Sequence, residues 1–374
     1  MLKDHVLLLT ATCVAALLSR SSSNAQTAPD PRMVPVAPAA SAATYPGQRL
    51  RPYARLSGAE TLNPGAWPQH WPYPDEYNSV AAASAVHHLR YTDEHINFVE
   101  VAYFAGVHGQ LHGHPWASVF AVDAPTPKSV NERLDPDRAP KLNQTVGPGG
   151  AEWPFCRTMG PESPHAETNL DTWPHHFYRM EFKRLDGADI QKNWKTWYPR
   201  ALDPPYITKP IKVAASAPKL TSDWPYPAVY DSYRAAPNNY RLLYEDDKMR
   251  LIEVMLRPGE TSPVHGNPYP SVLAMDGVSG AAPVVHDIDA KSPLNGQGDQ
   301  MAGPPPEFTA PSCAATAPRA LHTLSNPGTA PIHYYRIEFK RIDGATLKEN
   351  WRQWYPWMST LADEYAKNPY RPNY

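Results

Sequence analysis

The chain repeats itself, and that repeat limits its fold more than any single motif does. Trp71-Pro72-Tyr73-Pro74 returns as Trp224-Pro225-Tyr226-Pro227, 153 residues later. Tyr91 to Val101 returns as Tyr244 to Val254 at the same offset, and His112-Gly113-His114-Pro115 as His265-Gly266-Asn267-Pro268. His176 to Pro199 matches His333 to Pro356 at an offset of 157, so the second copy has four more residues in a middle loop. Similarity at fixed spacing means that one structural unit is built twice.

The expected organisation is a signal peptide over 1–25, a Pro/Ala-rich segment over 26–64, a first unit over 65–202, a linker over 203–221, a second unit over 222–358 and a tail over 359–374. Lys3 leads an apolar stretch from Val6 to Leu18, which is followed by polar residues and the small-x-small site Ser23-Asn24-Ala25. This layout predicts export, to the periplasm or beyond, of a mature protein without a membrane span. Cys13 has no lipobox before it, so no lipid anchor is expected.

Within each copy, alternation predicts strands. Tyr178, Met180 and Phe182 alternate with Arg179, Glu181 and Lys183, and Val99, Val101 and Tyr103 with Phe98, Glu100 and Ala102. Ile190, Trp194 and Trp197 instead recur at helical spacing between Asp186-Gly187 and Pro199, which predicts one short helix per copy, packed by its tryptophans and ended by proline. The 44 prolines in 374 residues favour turns over long helices. The predicted fold is all-β: two tandem barrels or jelly rolls, each ending in a short helix. A formal charge of −2 leaves no basic footprint for nucleic acid.

His112 and His114 lie two apart in a predicted strand, so both imidazoles leave one face and can converge on one ion. His165, in His165-Ala166-Glu167-Thr168-Asn169, can supply a third nitrogen from a distant strand. His-x-His after a Gly-containing turn, then the strand Ser118 to Val122, a loop and His-x-x-x-Asn, resembles the two motifs of the cupin superfamily, and the resemblance covers both halves of the chain. It implies a bicupin with His112, His114 and His165 as ligands of one divalent transition metal. Iron is favoured, and manganese, nickel, copper and zinc also suit such a site. The glutamate usual in the first motif is missing, since Trp116 to Val119 occupy its place. Three-histidine sites of this kind resemble those of thiol, β-diketone and gentisate dioxygenases.

The second copy keeps His265 and His322 but has Asn267 as its second ligand position, and is expected to be degenerate. His108, His175 and His176 are expected at the rim or behind the ligands, Tyr178 in the core, Arg179 on the surface and Glu167 in solvent. The Trp-Pro-Tyr-Pro segments are expected to pack on the barrels. Cys156 and Cys313 occupy equivalent positions. They are expected to be small buried residues, unlinked, although export permits a disulfide. The functional expectation is a mononuclear oxygenase acting on a small organic substrate. A metal-dependent isomerase or lyase and a non-catalytic small-ligand or metal-binding protein remain as alternatives. Cupin relatives often form homodimers.

Overall fold

Each pairing between named strands in the computed structural model is antiparallel, as short strands joined by turns and loops allow. The structure describes residues 73, 77–123, 126–133, 141–143, 154–183, 194–196, 224–276, 282–294, 300–302, 311–340 and 344–367. The predicted signal peptide, Pro/Ala-rich segment and linker lie outside these residues.

The first copy contributes β1 (His87–Thr92), β2 (Ile96–Tyr103), β3 (His112–His114), β4 (Ser118–Val122), β5 (Ser129–Arg133), β6 (Lys141–Asn143), β7 (Phe155–Met159), β8 (Glu162–Asn169) and β9 (His175–Phe182). They form two sheets, β1-β2-β9-β4-β7 and β3-β8-β5-β6. The second copy contributes β10 (Tyr240–Glu245), β11 (Met249–Leu256), β12 (His265–Asn267), β13 (Ser271–Met275), β14 (Val284–Asp287), β15 (Gln300–Ala302), β16 (Ser312–Thr316), β17 (Arg319–Ser325) and β18 (Ile332–Phe339). Its sheets are β10-β11-β18-β13-β16-β15 and β12-β17-β14. The architecture is mostly β, in two equivalent sheet pairs.

Local chemistry repeats with the sequence. The turn between β1 and β2 is held by Asp93 Oδ1, which accepts from the backbone N–H groups of His95 and Ile96 at 2.8 and 2.9 Å. Asp246 Oδ1 accepts in the same way from Lys248 and Met249. An aspartate that caps its own turn is a specific signal for a hairpin. Ahead of the His-x-His segment and its His-x-Asn counterpart, Gly106 and Gly259 adopt φ of 71° and 72°, a left-handed conformation that glycine enters without steric cost. In the second copy Trp224 packs so tightly on Gly266 that an added Cβ would lie 2.7 Å from its ring, which places the Trp-Pro-Tyr-Pro segment there as packing.

All eight residues of β2 and all eight of β9 are buried, and so are those of β11 and β18. Both faces of these strands are covered because one looks inward and the other meets the second copy. A single apolar cluster joins Ile96, Phe98, Tyr178, Met180 and Phe182 to Met249, Leu251, Tyr335, Ile337 and Phe339. Cys156 and Cys313 sit in this region and are disulfide-bonded, with Cα atoms 6.3 Å apart. The expectation of unlinked cysteines is therefore corrected. Equivalent strands β7 and β16 meet across the repeat, which brings equivalent residues within bridging distance.

The helices also differ from expectation. Residues 194–196 are helical, whereas Ile190 and Trp197 lie outside the described residues. In the second copy α1 (Gly344–Trp354) is followed at once by α2 (Pro356–Lys367). Pro356 ends one helix and opens the next, because its missing N–H costs nothing at a first helical position. Residues 359–367, expected as a tail, are thus helical. Nor do α1 and α2 pack only on their own copy: Trp351, Tyr355, Met358 and Ala362 share a core cluster with Val99, Val101, Phe120 and Phe177 of the first copy. Among the described residues no helix is long and apolar enough to cross a membrane.

His176 is fully buried, with Nδ1 2.7 Å from Asp123 and Nε2 3.0 Å from Glu100. Rather than lining the rim, it faces the side of β9 opposite the cavity, toward Tyr355. His333 repeats the arrangement with Asp276 and Glu253. Burial alone would lower the His176 pKa, but Asp123 and Glu100 raise it to about 9, and Asp276 and Glu253 do the same for His333. A raised histidine pKa contributes stability that is fully present below the unfolded value of 6.5 and is lost as pH rises through about 9. The melting temperature is therefore expected to fall between about pH 7 and 10, and to fall less steeply in a His176→Gln/His333→Gln variant. Thermal melts across that range check this, and equal slopes in the two proteins would contradict it.

Candidate metal centre

The centre is assembled where β3 pairs with β8. The register sets His112 opposite His165 and His114 opposite Glu162, with an irregularity between them. The rings of His112 and His165 lie 4.7 Å apart, and those of His114 and His165 5.5 Å apart. The three histidines singled out from the sequence therefore stand together, all buried.

Each ring is pinned through Nδ1. That atom lies 2.7 Å from Gln110 O in His112, 2.9 Å from Glu181 Oε1 in His114 and 2.9 Å from Ser163 O in His165. With Nδ1–H donating to these oxygens, the lone pair resides on Nε2, as in histidines that bind metal. Tyr103 places its hydroxyl 3.2 Å from His112 Nε2. Burial, then the charge of His165, holds the His112 pKa down at about 3. Burial, then Arg179, holds His114 well below its ordinary value. These imidazoles are neutral donors near pH 7, which is the form a metal requires.

Two further residues join them that the motifs did not predict. His87, from β1, has its ring 4.4 Å from that of His112 and 5.4 Å from that of His114. Burial and His112 lower its pKa well below the usual value. One ligand atom from each of His87, His112 and His114 lies within 4.8 Å of the others, and the same holds for His114, Glu162 and His165. Glu162 supplies a carboxylate from β8, in place of the one missing from the first motif. Comparison of the copies does not single out either residue. His87 corresponds to Tyr240 and Glu162 to Arg319, and neighbours of both differ between the copies as well.

Arg179 and Glu167 correct the sequence reading. Arg179 is 2% exposed and donates through Nη1 to Glu162 at 2.7 Å. The alternation along β9 was real, but its polar face points inward, because its apolar face is taken up by the contact between copies. Glu181, beside Arg179, is fully buried, and burial pushes its pKa up against the pull of Arg179. Glu167 lies buried in β8 and meets His175 Nδ1 at 2.8 Å. Burial opposes its ionisation, yet the charge and hydrogen bond of His175 hold its pKa down at about 2. His108 approaches Thr168 with Nδ1 at 2.6 Å, outside the cluster. A cavity of about 180 Å³ opens on the cluster, lined also by Tyr103, Phe120, Arg157, His175, Phe177 and Arg179.

The second copy reproduces the frame without the cluster. His265 and His322 face each other across β12 and β17, with rings 4.4 Å apart. The Tyr240 hydroxyl lies 2.7 Å from His265 Nε2, on the atom a metal would need. Arg319 is paired opposite Asn267, so a cation stands where the first copy has Glu162. No group of three ligand-type residues occurs there among the described residues.

No family model and no curated protein matches the chain. Solved structures similar to it include a cupin domain from Bordetella pertussis Tohama I, at 15% identity over 26% of this chain and 92% of that one, with a TM-score of 0.21. They also include Lactobacillus farciminis oxalate decarboxylase in a formate complex, at 12% over 70% and 86% with a TM-score of 0.21. AerE from Microcystis aeruginosa matches at 8% over 68% and 98%, with a TM-score of 0.20. In each half a His-x-His or His-x-Asn strand is hydrogen-bonded to the strand that carries the second-motif histidine, beside a larger antiparallel sheet. That arrangement is made twice on one polypeptide, as the resemblance of its motifs to those of the cupin superfamily implies.

Proposed function

We propose that the chain is an exported metal-dependent enzyme, an oxygenase of a small organic substrate, working from one mononuclear site in its first copy. The observation that carries this reading is the convergence of His87, His112, His114, His165 and Glu162 on one cavity. The donor set fits a transition metal: the imidazoles of His112, His114 and His165, each with Nδ1 already hydrogen-bonded, and one carboxylate. His112, His114 and His165 would hold the ion, with His87 and Glu162 within reach. A bound ion of this class, iron foremost, supplies Lewis acidity and electrons for dioxygen.

The chain's own residues prepare that chemistry. Gln110, Ser163 and Glu181 hold the rings in place. Arg179 fixes one oxygen of Glu162 and offsets its charge. Phe120 and Phe177 line the cavity beside them. A cavity with titratable and aromatic walls beside the ligands favours catalysis over storage. The Cys156–Cys313 bond supports export, since disulfides persist in oxidising compartments.

The test is oxygen consumption by protein reconstituted with iron(II), screened against small thiols, diketones and hydroxybenzoates. Substrate-dependent uptake, lost in a His112→Ala/His114→Ala variant, is the expected result. Tight iron binding with no uptake on any class would overturn the oxygenase reading in favour of a binding protein.

A further inference from the structure

The cavity contains a feature that holding a metal does not require. In the register of the larger sheet, Phe120 on β4 is paired with Arg157 on β7 and with Arg179 on β9. Residues paired across adjacent strands share a face, so the three stand in a row, each lining the cavity. Both guanidinium carbons lie over the Phe120 ring, at 4.5 and 4.6 Å from its centroid. Arg179 is partly committed to Glu162, but its Nη2 is buried without a hydrogen-bond partner. Arg157 Nε is likewise buried and unpartnered, and although the charges of Glu162 and Glu167 in the same cavity act on Arg157, neither forms an ion pair with it among the described residues.

The second copy serves as an internal control. The same register there reads Ala314, Leu273 and Arg336. The scaffold therefore needs no arginine at the position of Arg157 and no aromatic ring at that of Phe120. Both occur only in the copy that has the histidine cluster, where His87 and Glu162 also differ from their equivalents Tyr240 and Arg319. A guanidinium brought into a cavity without a carboxylate partner calls for an anion from outside, and its planar fork suits a carboxylate.

We propose that the row Arg157–Phe120–Arg179 is the anion subsite of the first-copy cavity and that the substrate is a small carboxylate. This deepens the reading above, because the cavity is that of the proposed metal site. The size follows from the space: a cavity of about 150 Å³ accepts benzene, so 180 Å³ suits an acid of similar bulk.

The test is calorimetric titration of acetate, benzoate, acetamide and inorganic phosphate into the full mature protein, both stripped of metal and loaded with zinc. Carboxylates are expected to bind and neutral acetamide is not. Arg157→Ala is expected to weaken the carboxylates about tenfold or more, with Arg157→Lys recovering part of the loss. Because Ala314 already fills the equivalent position, Arg157→Ala is expected to melt near wild type. Equal binding of acetamide and acetate, equal affinity in Arg157→Ala, a preference for phosphate, or no carboxylate binding in either metal state would each overturn the proposal. Binding by the stripped protein does not depend on the metal, so it stands even if the oxygenase reading falls. A protein that takes up metal but no carboxylate would remove the anion subsite alone.

Discussion

Mature protein carrying His112→Ala and His114→Ala, purified without chelators, is expected to contain no stoichiometric metal, whereas wild type holds about one equivalent. The expectation rests on how the site divides its donors. His114 belongs to both ligand groups, one with His87 and His112 and the other with Glu162 and His165. Its loss with that of His112 leaves His165 and Glu162 on β8 and His87 on β1, with no donor on β3 between them. The second copy has no group of three donors to compensate among the described residues, because Tyr240 and Arg319 stand where the first copy has His87 and Glu162, and Asn267 is a weak ligand. A His265→Ala/His322→Ala variant should thus retain the full equivalent. Elemental mass spectrometry of the three proteins checks both statements. Metal lost from the second variant but kept by the first would reverse the assignment of the copies.

The second large effect is on stability. Trp351 is 5% exposed in a cluster that also holds Val99, Val101, Phe120 and Phe177, so a helix of the second copy completes the core of the first. Truncating a buried tryptophan to alanine costs about 3–5 kcal/mol, from lost burial and from the cavity left behind. Trp351→Ala is expected to lower stability by about that amount and to raise hydrogen exchange in β2 and β9 of the first copy. Tyr355 next to it reinforces the contact, with its hydroxyl 3.2 Å from Asp123 Oδ2 and its ring 4.4 Å from that of His176. Denaturant unfolding with exchange mass spectrometry makes the measurement. Loosening confined to the second copy would contradict the crossed packing.

What was legible in the sequence follows the range of the interactions. His112, His114 and His165 could be found because two of them share one strand face and the third recurs at fixed spacing in both copies. His87 was hidden, since nothing local shows that β1 brings its ring to a histidine 25 residues on. Glu162 was hidden because the irregular pairing of β3 and β8, and not sequence spacing, sets it opposite His114. Arg179 was placed on the wrong side of β9, as alternation reveals two faces but not which of them is inside. The Cys156–Cys313 bond and the crossing of α1 and α2 depend on how two similar units pack, and a repeat read along the chain carries no information on that.

The most direct test is crystallographic: diffraction from the iron- or zinc-loaded protein, with anomalous maps at the edge of the metal used. The account predicts one strong peak within coordination distance of the Nε2 atoms of His112, His114 and His165, and none between His265 and His322. No peak in the first copy, or a peak only in the second, would contradict it.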